Sequence, residues 1–321
     1  MPTFQRPCLR PDLTIATSET SAALEIWTKG LRVGYFAAGE PGQELFEVLT
    51  KQLDGRHAMD DITAACLAQG HTPEDVTQLL DELHKRGIIF DAGKQTLSEV
   101  LLAQYRWWGC FTDDPAALQQ RLAQRNLVIA GDAWISEITA RAARESGLRP
   151  QIAAFPSNEG TTWQAHWQSA DFLLIVLAGD LSEGSRLAEF NNRLIEHHIP
   201  ALLLKVSGSV VRLGPLVVPS QTVCLAPDCI GQERITPSPN QSLPTLGSPA
   251  VPMPFILGVV HRSIAIAMDF LAQIQPSPWL NQVEYIDWRS GTNRQYTLLK
   301  NPRCPACSRL QHIPEGRSID A

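Results

Sequence analysis

Four cysteines carry the strongest chemical signal in the chain. Cys304 and Cys307 form a knuckle within Asn301-Pro302-Arg303-Cys304-Pro305-Ala306-Cys307, and Cys224 and Cys229 form a second pair in Cys-Leu-Ala-Pro-Asp-Cys. Two cysteine pairs on tight, proline-containing turns suit a tetrahedral zinc site with four thiolate ligands. Four thiolates leave no open position for a substrate, so the expected metal is a structural Zn2+ that staples the tail to the middle of the chain. Two other readings stand beside it: a redox dithiol at Cys304 and Cys307, and ordinary buried cysteines at Cys224 and Cys229. The upstream pair has four intervening residues, the wide end of the usual spacing.

Other titratable residues signal less. His197 and His198 follow Glu196 at a helix end and read as polar groups near a helix C-terminus. His261 sits in an apolar helix and reads as packed in a core. Asp113-Asp114 reads as a helix cap. Nothing places a Ser-His-Asp set together, so no catalytic residue is expected.

Bulk properties narrow the function classes. A net charge of -6 and a pI near 5.8 offer no basic stripe to neutralise phosphates, which argues against a general nucleic-acid binder. The first residues, Met-Pro-Thr-Phe-Gln-Arg-Pro, hold no apolar signal core, and no apolar run reaches the ~18 residues of a membrane span. Seven cysteines without a secretion signal point to the reducing cytoplasm, where metal binding is favoured over disulfides. At 321 residues, about two domains are expected.

The elements that must position these residues can be read in order. Leu13–Thr17, Ala23–Trp27 and Leu31–Phe36 alternate as strands, with Lys29-Gly30 as a turn. Helices follow over 43–52, 59–69 and from Thr72, whose hydroxyl caps the helix that has Pro73 at its first position. Val76, Leu79, Leu80 and Leu83 make the apolar stripe of the third helix. Ile88-Ile89-Phe90 is a trailing strand. Three helices and a strand suggest a winged helix-turn-helix over 1–93. DNA binding fits poorly, because Glu74, Asp75, Asp81 and Glu82 give the third helix an acidic face. Peptide recognition fits better. An extended peptide can add a strand to the edge formed by Leu31, Arg32, Val33, Gly34, Tyr35 and Phe36, with Val76, Leu79, Leu80 and Leu83 as the other wall.

A helical connector is expected over 94–125, in which Trp107-Trp108 reads as packing. Residues 126–321 alternate strand and helix as in a doubly wound sheet. Strands fall at 126–131, 151–155, 171–177 and 200–206, with helices at 134–146 and 182–197. Val210–Val218, Val283–Asp287 and Gln295–Leu299 read as further strands, 254–274 as a core or dimer helix, and 236–249 as a Pro-, Ser- and Gly-rich loop. The first strand-to-helix turn, Ala130-Gly131-Asp132-Ala133-Trp134, has one glycine where a nucleotide fingerprint needs three. Asp132 adds charge and Trp134 bulk where a phosphate would sit.

Taken together, Gly214-Pro215-Leu216-Val217-Val218-Pro219, the cysteine pair, the long helix, the Tyr285-Ile286-Asp287 strand and the Pro-Arg-Cys-Pro-Ala-Cys ending resemble the E1-like (ThiF-like) proteins of azoline-forming peptide maturation. Nearly the whole chain is covered. The resemblance implies an α+β and α/β fold. A winged helix-turn-helix with a small antiparallel sheet precedes a degenerate Rossmann-like E1 domain, 126–321, with a four-cysteine zinc knuckle. It also implies a non-catalytic subunit that binds the leader of a ribosomally made precursor peptide beside a YcaO cyclodehydratase, in making thiazole- and oxazole-modified peptides such as microcins. An FMN-dependent dehydrogenase subunit and a homodimer within the larger complex are further expected partners. Neither nucleic acid nor membrane is expected. The sequence departs from active E1 enzymes at Ala130-Gly131-Asp132, so no ATP is expected on this subunit. The rivals are an active E1-like adenylating enzyme and a winged-helix DNA-binding regulator.

Overall fold

The computed structural model describes residues 4–18, 20–93, 97–112, 114–154, 170–179, 184–226, 251–273, 277–301, 303–304 and 306–307. Cys229 and the loop expected over 236–249 lie outside them. The chain divides into two compact units, Met1–Arg121 and Leu122–Ala321.

The first unit opens with β1 (Pro7–Leu9), β2 (Leu13–Thr17), β3 (Leu24–Thr28) and β4 (Leu31–Phe36). Three helices follow, α1 (Pro41–Thr50), α2 (Met59–Leu67) and α3 (Pro73–Lys85), then β5 (Ile89–Asp91) and α4 (Glu99–Trp108). α5 (Pro115–Gln124) contains the unit boundary. β2, β3 and β4 form the expected antiparallel meander, with one edge of β4 unpaired among the described residues. β1 escaped the sequence reading because three residues are too few to show alternation. It pairs with β5, Cys8 opposite Phe90, and the Asp91 carboxylate accepts the backbone N–H groups of Gln5 and Arg6.

Helix α3 starts where its cap demands. The Thr72 hydroxyl accepts the Asp75 N–H at 3.2 Å, while the Asp75 carboxylate accepts the Thr72 N–H at 3.3 Å. This reciprocal pair satisfies two donors the helix cannot, and losing such a cap costs about 1 kcal/mol. The core of the unit gathers Leu45, Phe46 and Leu49 from α1, Ile62 and Cys66 from α2, and Val76, Leu80 and Leu83 from α3 against Ile26 of β3. Phe36 at the end of β4 stacks on Phe46 at 4.9 Å, which ties the strand to the helices. The tryptophan pair divides its work: Trp108 is buried, while Trp107 is exposed and packs edge-on to Phe111.

The second unit is built on one seven-stranded sheet. Its strands are β6 (Leu127–Gly131), β7 (Pro150–Ala154), β8 (Phe172–Ala178), β9 (Ala201–Ser207), β10 (Val210–Val217), β11 (Gln282–Asp287) and β12 (Thr292–Thr297), in the order β12-β11-β10-β9-β8-β6-β7. Its helices are α6 (Ala133–Glu145), α7 (Gly184–Glu196) and α8 (Met253–Ala272). β7, β6, β8 and β9 pair in parallel, whereas β10, β11 and β12 extend the sheet antiparallel. The fold is therefore mixed α/β. The runs Phe172–Leu177 and Ala201–Leu204 are wholly buried, as parallel strands covered on both faces must be.

Helix α8 is long and apolar enough to cross a membrane by length and composition, which corrects the expectation that no such segment exists. Val260, Ile264, Ala267 and Leu271 are buried, Phe270 packs on Phe172 of β8, and Arg262 pairs with the buried Glu284 of β11 at 3.0 Å. These contacts make it a core helix of this unit. His261 is exposed on α8, not packed in the core, because it falls on the stripe that faces away from the sheet.

Two positions explain local sequence choices. At Gly214, φ is +94° and a Cβ would stand 2.3 Å from the Gln282 carbonyl, so only glycine lets β10 pass β11 this closely. β12 begins three residues before the strand expected at Gln295. The Leu298-Leu299 pair drew the reading too far, whereas Ser290 bonding to Asp287 and Thr292 fixes the turn earlier.

Candidate metal centre and peptide-binding surface

Cys224, Cys304 and Cys307 converge, with their sulfurs within 4.8 Å of one another and all three buried. Cys224 and Cys304 sulfurs stand 3.6 Å apart. A tetrahedral ion with metal–sulfur bonds of about 2.3 Å sets its sulfurs about 3.8 Å apart, so the spacing suits a shared metal. Cys229, the expected fourth ligand, lies outside the described residues. The donor set is soft and thiolate-rich, which fits a borderline-soft ion in a closed, structural site.

The framework around the thiols is specific. The Asn301 carboxamide accepts the Arg303 N–H at 2.9 Å and its carbonyl accepts the Cys304 N–H at 3.1 Å, forming the turn that starts the knuckle. Burial pushes the Cys304 thiol up, but N–H donors from Cys307 and Ala306, then the neighbouring thiols, outweigh it and bring Cys304 below its ordinary value. On the opposite side, the Thr222 hydroxyl accepts the Val218 N–H at 2.7 Å. Asn281 Oδ1 accepts the Val223 N–H at 2.8 Å, and Asn191 Oδ1 accepts the Leu225 N–H at 2.7 Å. The backbone on both sides of Cys224 is thus held by a buried or half-buried asparagine. The sequence reading missed these two residues. Their signal was faint: Asn191 lies in the middle of α7, next to another asparagine, and Asn281 stands alone just before β11. Ile195, Val223, Val283 and Leu298 seal the cluster from water.

The end of β6 is where a doubly wound sheet normally receives a phosphate, because neighbouring connections leave the sheet in opposite directions there. Here Asp132 ties the end of β6 to β8. The Asp132 carboxylate accepts the Ala178 N–H of β8 at 2.5 Å, and the Asp132 N–H donates to the Val176 carbonyl at 3.0 Å. At Gly131, φ is +152° and a Cβ would lie 1.7 Å from that carbonyl, so β6 and β8 are in backbone contact. Asp132 caps no N–H of α6 with its side chain, and Trp134 is exposed beside it. A phosphate at this helix end would meet a carboxylate instead of a glycine-lined cradle.

In the first unit, β4 presents Leu31 and Tyr35 to solvent, 69% and 46% exposed. Arg32 pairs with Glu25 at 3.0 Å and lies over the Tyr35 ring. Val33 and Phe36 pack partly against the core, and Gly34 is buried against Ile26. Val76, Leu80 and Leu83 are core residues, at 0%, 0% and 2% exposure, because the helix turns them toward α1 and α2. Of that stripe, Leu79 alone reaches the surface, where it lines a notch of about 300 Å³ with Pro41, Gly42, Leu45, His71, Asp75, Gln78 and Glu82.

No family model matches the chain, and no curated protein matches it. Solved structures do. A heterocyclase in complex with substrate and cofactor superposes with a TM-score of 0.63 at 17% identity, over 94% of this chain and 39% of its own. The heterocyclase TruD gives 0.63 at 16% identity, over 94% and 43%. E. coli MccB with SeMet MccA gives 0.55 at 14% identity, over 94% and 99%. MccB with ATP also gives 0.55 at 14%. The chain spans about two fifths of the length of these heterocyclases. At these identities the likeness is one of fold, and it agrees with the mixed α/β class expected from the sequence.

Proposed function

We propose that this chain is the leader-binding and scaffold subunit of an azoline-forming cyclodehydratase, acting on a precursor peptide that a separate YcaO chain modifies. One observation carries the reading: 94% of the chain follows the fold of two solved heterocyclases, one of them in complex with substrate and cofactor. The first unit is read as a winged helix-turn-helix in which the free edge of β4 takes the leader as an added strand. Catalysis is assigned to the partner, with an FMN-dependent dehydrogenase as a further member and a homodimer of this chain within the cytoplasmic complex.

The metal is taken as Zn2+, held by Cys224, Cys304 and Cys307 with Cys229 as fourth ligand. Its contribution is structural, since binding free energy of a site absent from the unfolded chain is folding free energy. The Asp132 carboxylate at the end of β6, where a phosphate would sit, supports a subunit that does not use ATP. A second reading, an adenylating enzyme, draws on the whole-length likeness to MccB.

Fluorescence polarisation with a labelled precursor leader tests the first reading, and binding that strengthens when the partner chains are present is expected. Absence of binding at micromolar protein, partners supplied, ends it. ATP–pyrophosphate exchange by the isolated chain would replace it with the adenylating reading.

A further inference from the structure

We propose that the peptide surface of the first unit selects a cationic ligand: an extended peptide with an aliphatic anchor and a Lys or Arg within two residues of it. The inference rests on the leader-binding reading and narrows it to a ligand class.

Charge distribution is the first support. Met1–Arg121 holds 11 Lys and Arg against 17 Asp and Glu, a net charge of -6. That is the whole net charge of the chain, since Leu122–Ala321 balances 16 against 16. The field of this unit draws cations and repels acidic peptides at long range.

The notch supplies the second. It opens between the N-terminal turn of α1 and the exposed face of α3, with Leu45 and Leu79 as apolar lining and Asp75, Gln78 and Glu82 spaced along α3. Its volume of about 300 Å³ is at the small end for a ligand pocket, enough for side chains rather than a whole cofactor. A leucine-sized side chain can rest on Leu45 and Leu79 while a neighbouring ammonium or guanidinium reaches the carboxylates. Glu82 already pairs with Arg86 at 2.8 Å, but both side chains are 48% exposed. Such a surface pair is worth little and yields readily to a ligand cation. Asp75 keeps its charge while accepting the Thr72 hydroxyl at 2.7 Å. His71, also in the lining, sits beside Asp75.

Continuity supplies the third. The Phe36 ring at the end of β4 lies 3.5 Å from where a Cβ on Gly42 would stand, and Gly42 lines the notch. The Phe36 end of β4 thus adjoins the rim of the notch, which puts the notch within reach of a strand added along β4.

The test is selection of a displayed library of random dodecapeptides on the immobilised full chain, followed by polarisation measurements on the enriched peptides. Enriched sequences should pair Leu, Ile, Val or Phe with a nearby Lys or Arg. Their affinity should fall about tenfold between low and physiological ionic strength. The double substitution Gln78→Lys and Glu82→Lys, both at exposed positions, should weaken them at least as much, with an unchanged circular dichroism spectrum. Enriched peptides that are acidic or charge-indifferent, or that bind the double variant and the parent equally, overturn the cationic class and leave the leader reading standing. No enrichment at all overturns the cationic class, while the leader reading is decided by the polarisation measurement with partners supplied.

Discussion

Met1–Arg121 and Leu122–Ala321 differ in which way their chemistry faces. The first unit has a small sheet whose edge strand β4 is unpaired on one side among the described residues, exposed aromatic and aliphatic groups on that strand, and an acidic helix lining a notch. The second turns its reactive groups inward. Cys224, Cys304 and Cys307 are 2%, 0% and 3% exposed, and the crevice at β6 and β8 is bridged by Asp132. Buried thiols suit a structural role, and an open strand edge near an acid-lined notch suits the proposed capture of a peptide. The cysteine motifs, the loudest feature of the sequence, thus lie inside, and the quieter alternating strand lies at an open edge; the proposed division into support and recognition follows that difference.

Loss of a thiol should separate the two regions most sharply. Cys304→Ser is expected to abolish stoichiometric zinc, measured by elemental analysis, and to cost several kcal/mol, since structural zinc contributes about 10–16 kcal/mol in small zinc-dependent peptides. Hydrogen exchange should rise across β9, β10 and β11 while α1, α2 and α3 stay protected. A variant that remains folded and zinc-loaded but no longer binds leader would show the knuckle to be part of recognition and sink the comparison.

A smaller effect is expected at Asn191. Its Oδ1 is the acceptor for the Leu225 N–H beside Cys224, and the residue is 1% exposed. Asn191→Leu keeps the branching and number of side-chain heavy atoms and leaves that N–H without a partner, at a cost of about 1–3 kcal/mol. Because the bond also aims the Cys224 loop, metal affinity in a chelator competition should drop about tenfold or more, as for other residues that orient ligands. Unchanged affinity with lowered stability would reduce Asn191 to packing.

Much of this was legible in the sequence because the signals were local. Thr72-Pro73 announced the start of α3, and the apolar run Phe172–Leu177 announced a buried strand. The convergence of Cys224 with Cys304 and Cys307 was inferable from spacing and ligand chemistry. What periodicity could not supply was direction. Val76, Leu79, Leu80 and Leu83 form one stripe, yet three of them are core and Leu79 alone faces the notch, because helices α1 and α2 cover most of that face. β1 was hidden for a related reason: a three-residue strand exists only by virtue of its partner β5. Asn191 and Asn281 act through backbone groups many residues away, and no local pattern encodes that.

The smallest expected effect lies at the corner between β1 and β2. Arg10 donates to both Asp12 carboxylate oxygens at 3.1 and 3.0 Å, and also to the carbonyls of Gly87 and Cys110. The Thr28 hydroxyl adds a third bond to Asp12 at 2.8 Å. Burial alone would raise the Asp12 carboxyl, but the Arg10 and Thr28 bonds outweigh it and hold the group below its ordinary value. A carboxylate depressed in the folded state adds stability above its unfolded value near pH 4, and that stability fades as pH falls through the folded value. Asp12→Asn keeps the shape and the Thr28 bond but removes the charge. It should therefore cost about 1 kcal/mol at neutral pH, read by urea unfolding of the first unit. The gap between variant and parent should close in acid, where the parent is protonated too. A gap that persists in acid would assign the effect to packing rather than charge. A gap that also moves the exchange protection of β9 and β10 would show that the two units do not behave as separately as their chemistry does.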